Sequence, residues 1–147
     1  MIISSKLREL VKHFEGCELT AYVCSAGHNT IGYGNTFYEN GVKVKPGDKI
    51  TQQRAEELLD IILIKFVQQT NEVIKSSVNQ NQRDALTDFA YNCGLGNLKS
   101  STLLKKVNAD PNDKTIREEF MKWTRANKIE LAGLVRRRKA EADLYFS

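Results

Sequence analysis

The sequence predicts an α+β fold: one helix, then a small β-rich subdomain, then a mainly helical body. Three observations lead there. Apolar residues recur at helical spacing near the start and again from residue 51 onward. Between those stretches, residues 18–50 mix β-branched and aromatic side chains with Gly27, Gly32, Gly34, Gly41 and Gly47, the pattern of short strands and turns. With 147 residues, 41% of them hydrophobic and 27% charged, one domain over residues 1–147 can bury a core without disulfide or metal staples.

The first helix is expected from Ser5 to about Glu15. Leu7, Leu10, Val11 and Phe14 fall on one face, Ser4 or Ser5 is available as the cap, and Gly16 ends it. The β-rich part covers about 18–50 and the helical body about 51–146. Thr51 opens a long helix to about Lys75, with Ala55, Leu58, Leu59, Ile62, Phe66 and Ile74 for the core. Asn79 with Gln82 three residues on reads as a capping box for a helix through Ala85, Leu86, Phe89 and Ala90, closing near Gly94. Further helices are expected at about 100–108, 113–126 and 133–146, with no repeat and no low-complexity linker.

Composition narrows the function classes. The longest apolar patch, Leu58 to Val67, is broken by Asp60 and Lys65, and nothing approaches the roughly 18 residues of a membrane-spanning helix. The start "MIISSKLREL" has no secretory pattern, so neither export nor stable membrane insertion is expected. Cys17, Cys24 and Cys93 are odd in number and lack C-x-x-C spacing, which fits a reduced cytosolic chain. With only His13 and His28 to add, no metal site and no cofactor is expected. The net charge of +4 favours polyanionic partners: nucleic acid, anionic lipid or the acidic polymers of a bacterial wall. No helix-turn-helix, zinc-finger or RNA-binding signature accompanies the charge, so nucleic acid is not the expected partner.

One stretch carries chemistry: "EGCELTAYVCSAGHNTIGYG", residues 15–34. Glu15 sits where a helix ends, and the hairpin after it brings Cys24 and Thr30 back toward the same place. Cleavage of a glycosidic bond uses an acid for the leaving oxygen and a base or nucleophile on the opposite face, and the acid must be protonated while it works. Taken singly the residues are ordinary. A glutamate at a helix end is usually solvated, a threonine in a strand reflects β-propensity, a strand cysteine packs, and glycines mark bends. The joint spacing is what stands out: Glu15, eight residues, Cys24, five residues, Thr30, then Ile31-Gly32-Tyr33-Gly34.

That pattern resembles the active-site hairpin of the phage-type lysozymes, the muramidase endolysins of tailed phages, which carry a Glu, an Asp or Cys, and a Thr at these spacings. The resemblance continues through "NQNQRDALTDFAYNCGLGNLKSSTLLKKVN" (79–108), "FMKW" (120–123) and "LAGLVRRRKAEADLYF" (131–146), so it spans about residues 5–146. It implies a lysozyme-like fold with the active-site cleft between the β-hairpin subdomain and the helical body. It implies Glu15 as general acid, Cys24 at the usual carboxylate position, and Thr30 placing the attacking water. Arg136 or Arg137 is similar to the family's basic partner for the catalytic glutamate. Gly32, Tyr33, Tyr91 and Thr102 match sugar-binding positions, although helix packing for Tyr91 and helix capping for Thr102 are equally good readings.

Three roles for Cys24 stay open beside plain packing: a thiolate base, a weaker base that polarises water, or a nucleophile giving retention. Inverting enzymes separate their two groups by roughly 6.5–9.5 Å and retaining ones by about 5–5.5 Å. Water activation ranks first. A thiol is only a few per cent ionised at neutral pH, so activity is expected to climb toward mildly alkaline pH more than in a Cys24→Asp variant. Cys17 and Cys24, seven residues apart, suggest an oxidative cross-link that switches the enzyme off.

Two function classes compete. The first is a glycoside hydrolase, a muramidase acting on the β-1,4 bond between N-acetylmuramic acid and N-acetylglucosamine of peptidoglycan. The second is a weak or inactive wall-glycan-binding domain on the same scaffold, in which Cys24 marks a lost carboxylate. A lytic transglycosylase, which needs a single glutamate and leaves anhydro-sugars, is a further alternative. The run Arg136-Arg137-Arg138-Lys139 reads as a solvated face with one arginine turned toward the site, or as an attraction to anionic wall polymers. The resemblance also implies a monomer that accumulates in the host cytoplasm until a separate holin opens the membrane, and then acts on the wall.

Overall fold

In the computed structural model, helix α1 (Ser5–Glu15) starts at Ser4, whose hydroxyl accepts from the Leu7 amide at 3.1 Å, and it ends at Gly16, whose amide donates to the Lys12 carbonyl at 3.0 Å. The structure describes every residue except Met1 and Ser25. The chain divides into two compact units, one ending at Lys65 and the other running Phe66–Ser147.

In the first unit, strands β1 (Glu18–Val23) and β2 (Asn29–Gly32) form an antiparallel hairpin. Tyr22 lies opposite Thr30 and Val23 opposite Asn29, with a register shift between Glu18 and Tyr22. The rest of the expected β-rich part holds single bridges, Thr20 to Lys49, Ile31 to Asn35 and Phe37 to Lys43, because its turns follow too closely for longer strands. Helix α2 (Gln52–Val73) follows, its first turn capped by the Thr51 hydroxyl, which accepts from the Arg54 amide at 3.1 Å. Leu7, Val11, Ile31, Val44, Ala55, Leu58, Leu59 and Leu63 are the unit's buried apolar residues. Of the predicted positions Leu7, Val11, Ala55, Leu58 and Leu59 go fully inside, Leu10, Phe14, Ile62, Phe66 and Ile74 are half-buried, and Leu63 and Val67 take inner places that were not predicted.

The second unit takes up the end of α2 and then α3 (Gln80–Cys93), whose capping box forms as expected: Asn79 accepts from the Gln82 amide at 2.8 Å and Gln82 accepts from the Asn79 amide at 2.9 Å. The helix expected at about 100–108 forms as α5 (Thr102–Ala109), and a short helix that was not expected, α4 (Leu95–Ser100), precedes it. They are divided at Ser101, which caps α5 by accepting from Leu104 at 3.0 Å. The helix expected at 113–126 is only α6 (Ile116–Phe120). Beyond it the chain turns into a small hairpin, β3 (Arg125–Ala126) with β4 (Ile129–Glu130). Asn127 and Lys128 both take positive φ, 51° and 67°, the paired left-handed geometry of a two-residue hairpin turn. Helix α7 (Ala132–Tyr145) closes the chain against α3. Leu86, Phe89, Leu98, Leu103, Phe120 and Tyr145 form the core, and the Trp123 ring stands edge-on to Phe89 at 5.3 Å.

The basic run on α7 departs from its expectation as a solvated face. Arg136 and Lys139 are exposed, but Arg137 is 3% exposed and Arg138 fully buried. Arg137 holds Asp88 of α3 with two bonds, Nε to Oδ2 at 3.0 Å and Nη2 to Oδ1 at 2.8 Å. Arg138 reaches Glu141 at 3.0 Å, the Asn92 side-chain oxygen at 2.7 Å and the Cys93 sulfur at 2.6 Å, with its guanidinium over the Phe89 ring. Burial pushes the Asp88 carboxyl up, but the Glu141 hydrogen bond and then Arg137 hold it below the usual range. Glu141 goes the other way: burial and the adjoining Asp88 carboxylate keep it protonated well above that range.

Two outcomes follow. Asp88→Ala leaves the buried Arg137 guanidinium without its carboxylate and should cost about 3–5 kcal/mol in urea unfolding. Glu141, with its raised native pKa, contributes fully below the ordinary carboxylate pKa and loses that contribution as pH climbs toward the native value. Glu141→Gln removes this loss. Its stability relative to wild type should therefore improve from pH 4 to pH 7, and a constant gap would overturn the protonated assignment.

Candidate active site

All three residues of the predicted trio lie in the first unit. Glu15 is the last residue of α1, half-buried, and its carboxylate lies against the α-carbon of Gly34. A Cβ on residue 34 would clash with the Glu15 oxygen and lie 2.8 Å from its carboxyl carbon, and Gly34 has φ of +79°. Only glycine leaves that space and takes that backbone.

Cys24 and Thr30 are brought together by one carbonyl. At the hairpin tip the His28 carbonyl accepts from the Cys24 amide at 2.9 Å and from the Thr30 hydroxyl at 3.0 Å. A carbonyl has two lone pairs, so both bonds coexist. The Cys24 thiol is held below its ordinary pKa, first by the Thr30 hydroxyl, then against a small burial penalty by the backbone amides of His28, Ala26 and Cys24 itself. The single Thr30 proton therefore has two acceptors in reach, the His28 carbonyl and the sulfur. Thr30 is 3% exposed, which keeps the rotor confined to those partners.

Tyr22 belongs to the same face and was not singled out from the sequence. It lies opposite Thr30 and two residues before Cys24, so all three side chains leave the hairpin on one side. Its phenol is pushed up by burial and then by the charges of Glu15, Cys24 and Glu18, which places it within electrostatic reach of both the acid and the thiol. A tyrosine in a strand ordinarily reports β-propensity; its spacing from Cys24 was the available signal.

The expected sugar contacts of the first unit sit elsewhere. Tyr33 is 5% exposed, its hydroxyl donating to Glu56 at 2.9 Å and accepting from Gln52 at 3.0 Å, and its pKa is pushed up to about 12 by burial and by Glu56. Lys12 pairs with the same Glu56 at 2.8 Å. This network ties the last turns of α1 to the start of α2 and so steadies the helix end that carries Glu15. Gly32 is buried as well; a Cβ there would meet the Asn35 side chain at 3.2 Å. At both positions the side-chain space faces the interior of the unit. In the second unit Tyr91 is half-buried, its ring 5.3 Å from Phe66, and Thr102 is exposed in the first turn of α5, where Ser101 does the capping. Arg136 is exposed, and Arg137 takes its place in the buried pairing with Asp88.

The cross-link suggested for Cys17 and Cys24 fails on distance. The two thiols are free and stand at opposite ends of β1. Seven steps of extended chain put them roughly 20 Å apart, against the ~7 Å that a disulfide allows between α-carbons. Oxidation would have to dismantle the strand.

Comparison with known proteins places these features in company. The phage lysozyme family matches residues 12–141. The endolysin of Acyrthosiphon pisum secondary endosymbiont phage 1 is 40% identical over 100% of this chain and 99% of its own. The endolysin of Bacillus phage B103 is 41% identical, but the chain spans only 55% of that longer protein. Among solved structures, the endolysin from Escherichia coli O157:H7 phage FAHEc1 superposes with a TM-score of 0.89 at 39% identity, covering 100% of this chain and 94% of the other.

Two outcomes test the site's geometry. Thr30→Val removes the largest influence lowering the Cys24 pKa, so the midpoint of the pH–rate curve for iodoacetamide alkylation of Cys24 should move to higher pH. An unmoved midpoint would take Thr30 out of that role. Gly34→Ala displaces the Glu15 carboxylate and should lower wall-clearing activity at least tenfold while the protein stays folded by circular dichroism; full activity would show that Glu15 tolerates the shift.

Proposed function

The chain belongs to the phage lysozyme family of glycoside hydrolases, and we propose that it is a muramidase cleaving the β-1,4 bond between N-acetylmuramic acid and N-acetylglucosamine. Glu15 protonates the leaving glycosidic oxygen. Cys24, at the place of a carboxylate, takes the proton of the attacking water, and Thr30 orients that water. The observation that carries this reading is the shared His28 carbonyl, which sets the Thr30 hydroxyl beside a thiol whose pKa is lowered. A thiol that only packed in a strand would have no need of that company.

The charge balance of the step is simple. The water proton passes to the Cys24 sulfur as its oxygen bonds to the sugar carbon, the glycosidic bond breaks, and the leaving oxygen takes the Glu15 proton. Water activation places the new hydroxyl on the face opposite the leaving group, hence inversion. Arg137 is the better candidate for the supporting basic role, since it is buried in an ordered charge network whereas Arg136 is exposed.

Bacterial peptidoglycan is the partner in this reading, met by a monomer, with nucleic acid playing no part. Among the described residues no helix is long and apolar enough to cross a membrane. Accumulation in the host cytoplasm and release by a separate holin complete the proposal.

The test is clearing of purified peptidoglycan with product masses for wild type, Glu15→Gln, Cys24→Ser and Cys24→Asp. Hydrolysis should yield reducing muramic ends for wild type and Cys24→Asp, while Glu15→Gln and Cys24→Ser fall by about a thousandfold, the middle of the range for a lost acid or base. The ratio of wild-type to Cys24→Asp activity should rise with pH as the thiol ionises. Anhydro-sugar products would instead mark a transglycosylase. Wall binding without any cleavage by folded wild type would mark a binding domain.

A further inference from the structure

The hairpin that joins α6 to α7 carries a face that its own unit leaves exposed. Ile129 is 64% exposed and Leu131 39%, although both are large and apolar. Leu131 continues strand β4: its backbone is extended (φ −112°, ψ 129°) and its amide donates to the Thr124 carbonyl at 3.0 Å. Side chains alternate along a strand, so Ile129 and Leu131 leave on one face and Glu130 on the other. Glu130 lies opposite Arg125 in register and accepts from the Thr124 hydroxyl at 3.1 Å. The acid is thereby turned away from the two apolar side chains.

Positive charge gathers in the same segment. Residues 121–140 hold seven of the 22 Lys and Arg and one of the 18 Asp and Glu, so the rest of the chain is slightly acidic although the whole carries +4. Arg137 and Arg138 are paired in the interior. Lys128 at the hairpin turn, and Arg136 and Lys139 on α7, are exposed. Among the described residues, the ion pairs of α7 are made by Arg137, Arg138, Glu141 and Asp143, which leaves Arg136 and Lys139 open. These two are three residues apart and share the face of α7 turned away from the buried arginines. The Arg136 guanidinium reaches back toward the helix start, 3.8 Å from where a Cβ on Gly133 would stand, and so toward the hairpin. Helix α7 has no acidic residue in its first turn, so its positive end adds to the field there.

We propose that this surface docks the protein reversibly on an anionic phospholipid bilayer, with Ile129 and Leu131 entering the headgroup layer and Lys128, Arg136 and Lys139 meeting lipid phosphates. The combination selects the occupant. A nucleic acid or an acidic wall polymer would satisfy the cations but leave the isoleucine in water. A bilayer offers anionic groups outside and hydrocarbon just beneath them. Two apolar side chains and three cations give weak, salt-sensitive attachment, unlike the insertion of a spanning helix. The inference goes beyond the muramidase reading and does not depend on which bond is cleaved.

The experiment sediments the full chain with vesicles of phosphatidylcholine alone and of equal parts phosphatidylcholine and phosphatidylglycerol, with folding of each variant checked by circular dichroism. Wild type should bind the anionic vesicles and not the neutral ones. A cation near such a surface contributes about fivefold, so Lys128→Ala combined with Lys139→Ala should weaken binding roughly 25-fold. Ile129→Ser should weaken it about tenfold, and Lys43→Ala, an exposed cation of the first unit, should leave it unchanged. Ile129→Trp gives the tip its own reporter beside the single native Trp123, and its emission should shift to the blue on anionic vesicles while that of wild type stays put. Absence of binding, equal binding to both vesicles, or binding that survives Ile129→Ser with no shift in Ile129→Trp overturns the proposal. Sodium polyphosphate that binds as tightly as the anionic vesicles, without dependence on Ile129, would mark a surface for soluble polyanions instead. Self-association that Ile129→Ser abolishes would mark a contact with a second copy, and either result also overturns the proposal. No readout uses cleavage, so failure of the muramidase reading leaves the test intact.

Discussion

The His28 carbonyl, accepting from the Cys24 amide and the Thr30 hydroxyl at once, is the interaction on which the candidate site depends. It closes the hairpin tip, fixing the Cys24 backbone through its amide and the Thr30 side chain through its hydroxyl. Because it uses both lone pairs of one oxygen, the Thr30 hydroxyl cannot swing away without leaving that oxygen half-satisfied. The residues around it inherit their positions: Tyr22 opposite Thr30 by register, and Glu15 against the bare α-carbon of Gly34. A loop carrying the same residues without that shared acceptor would have each of them on an independent rotamer.

In the proposed role of Cys24, a thiol serving where a carboxylate would changes the chemistry in a defined way. A carboxylate is ionised at neutral pH without help, whereas a thiol must be coaxed into its anion. The help comes from a hydroxyl with one mobile proton and from backbone amides at a tight turn, all supplied by residues within six positions of Cys24. The lowered pKa trades some intrinsic basicity for a larger ionised fraction, which is the compromise a general base working near neutrality requires.

The second unit stakes its stability on a different kind of interaction. Two arginines and two carboxyls between α3 and α7 are buried, and one of the carboxyls stays neutral. Such a cluster contributes little over an apolar replacement, but it is costly to break, because each removal strands a charge in the interior. It also sets how α7 faces α3, since the Arg137–Asp88 pair is planar and two-pronged. The sulfur of Cys93 serves here as a partner for Arg138.

The sequence by itself determined the elements whose causes are local. Ser4, Gly16, Thr51 and the Asn79–Gln82 box each act on amides or carbonyls within four residues, so their effect could be read from spacing alone. The spacing of Glu15, Cys24 and Thr30 was legible for the same reason, as was the family they point to. What only the tertiary structure decided are the features made by atoms that carry no residue identity or by contacts between distant segments. The His28 carbonyl is a backbone atom that any residue would offer. Tyr22 acquired its place from strand register, and Tyr33 lost its expected one to Glu56, 23 positions away. The arginine run looked solvated because charge ordinarily is, and Asp88, 49 positions earlier than Arg137, is what allowed it inside. The helix forecast through 126 stopped at Phe120, and residues 125–126 paired instead with 129–130 across a left-handed turn at Asn127 and Lys128, a choice that weak local propensities leave to the surrounding fold.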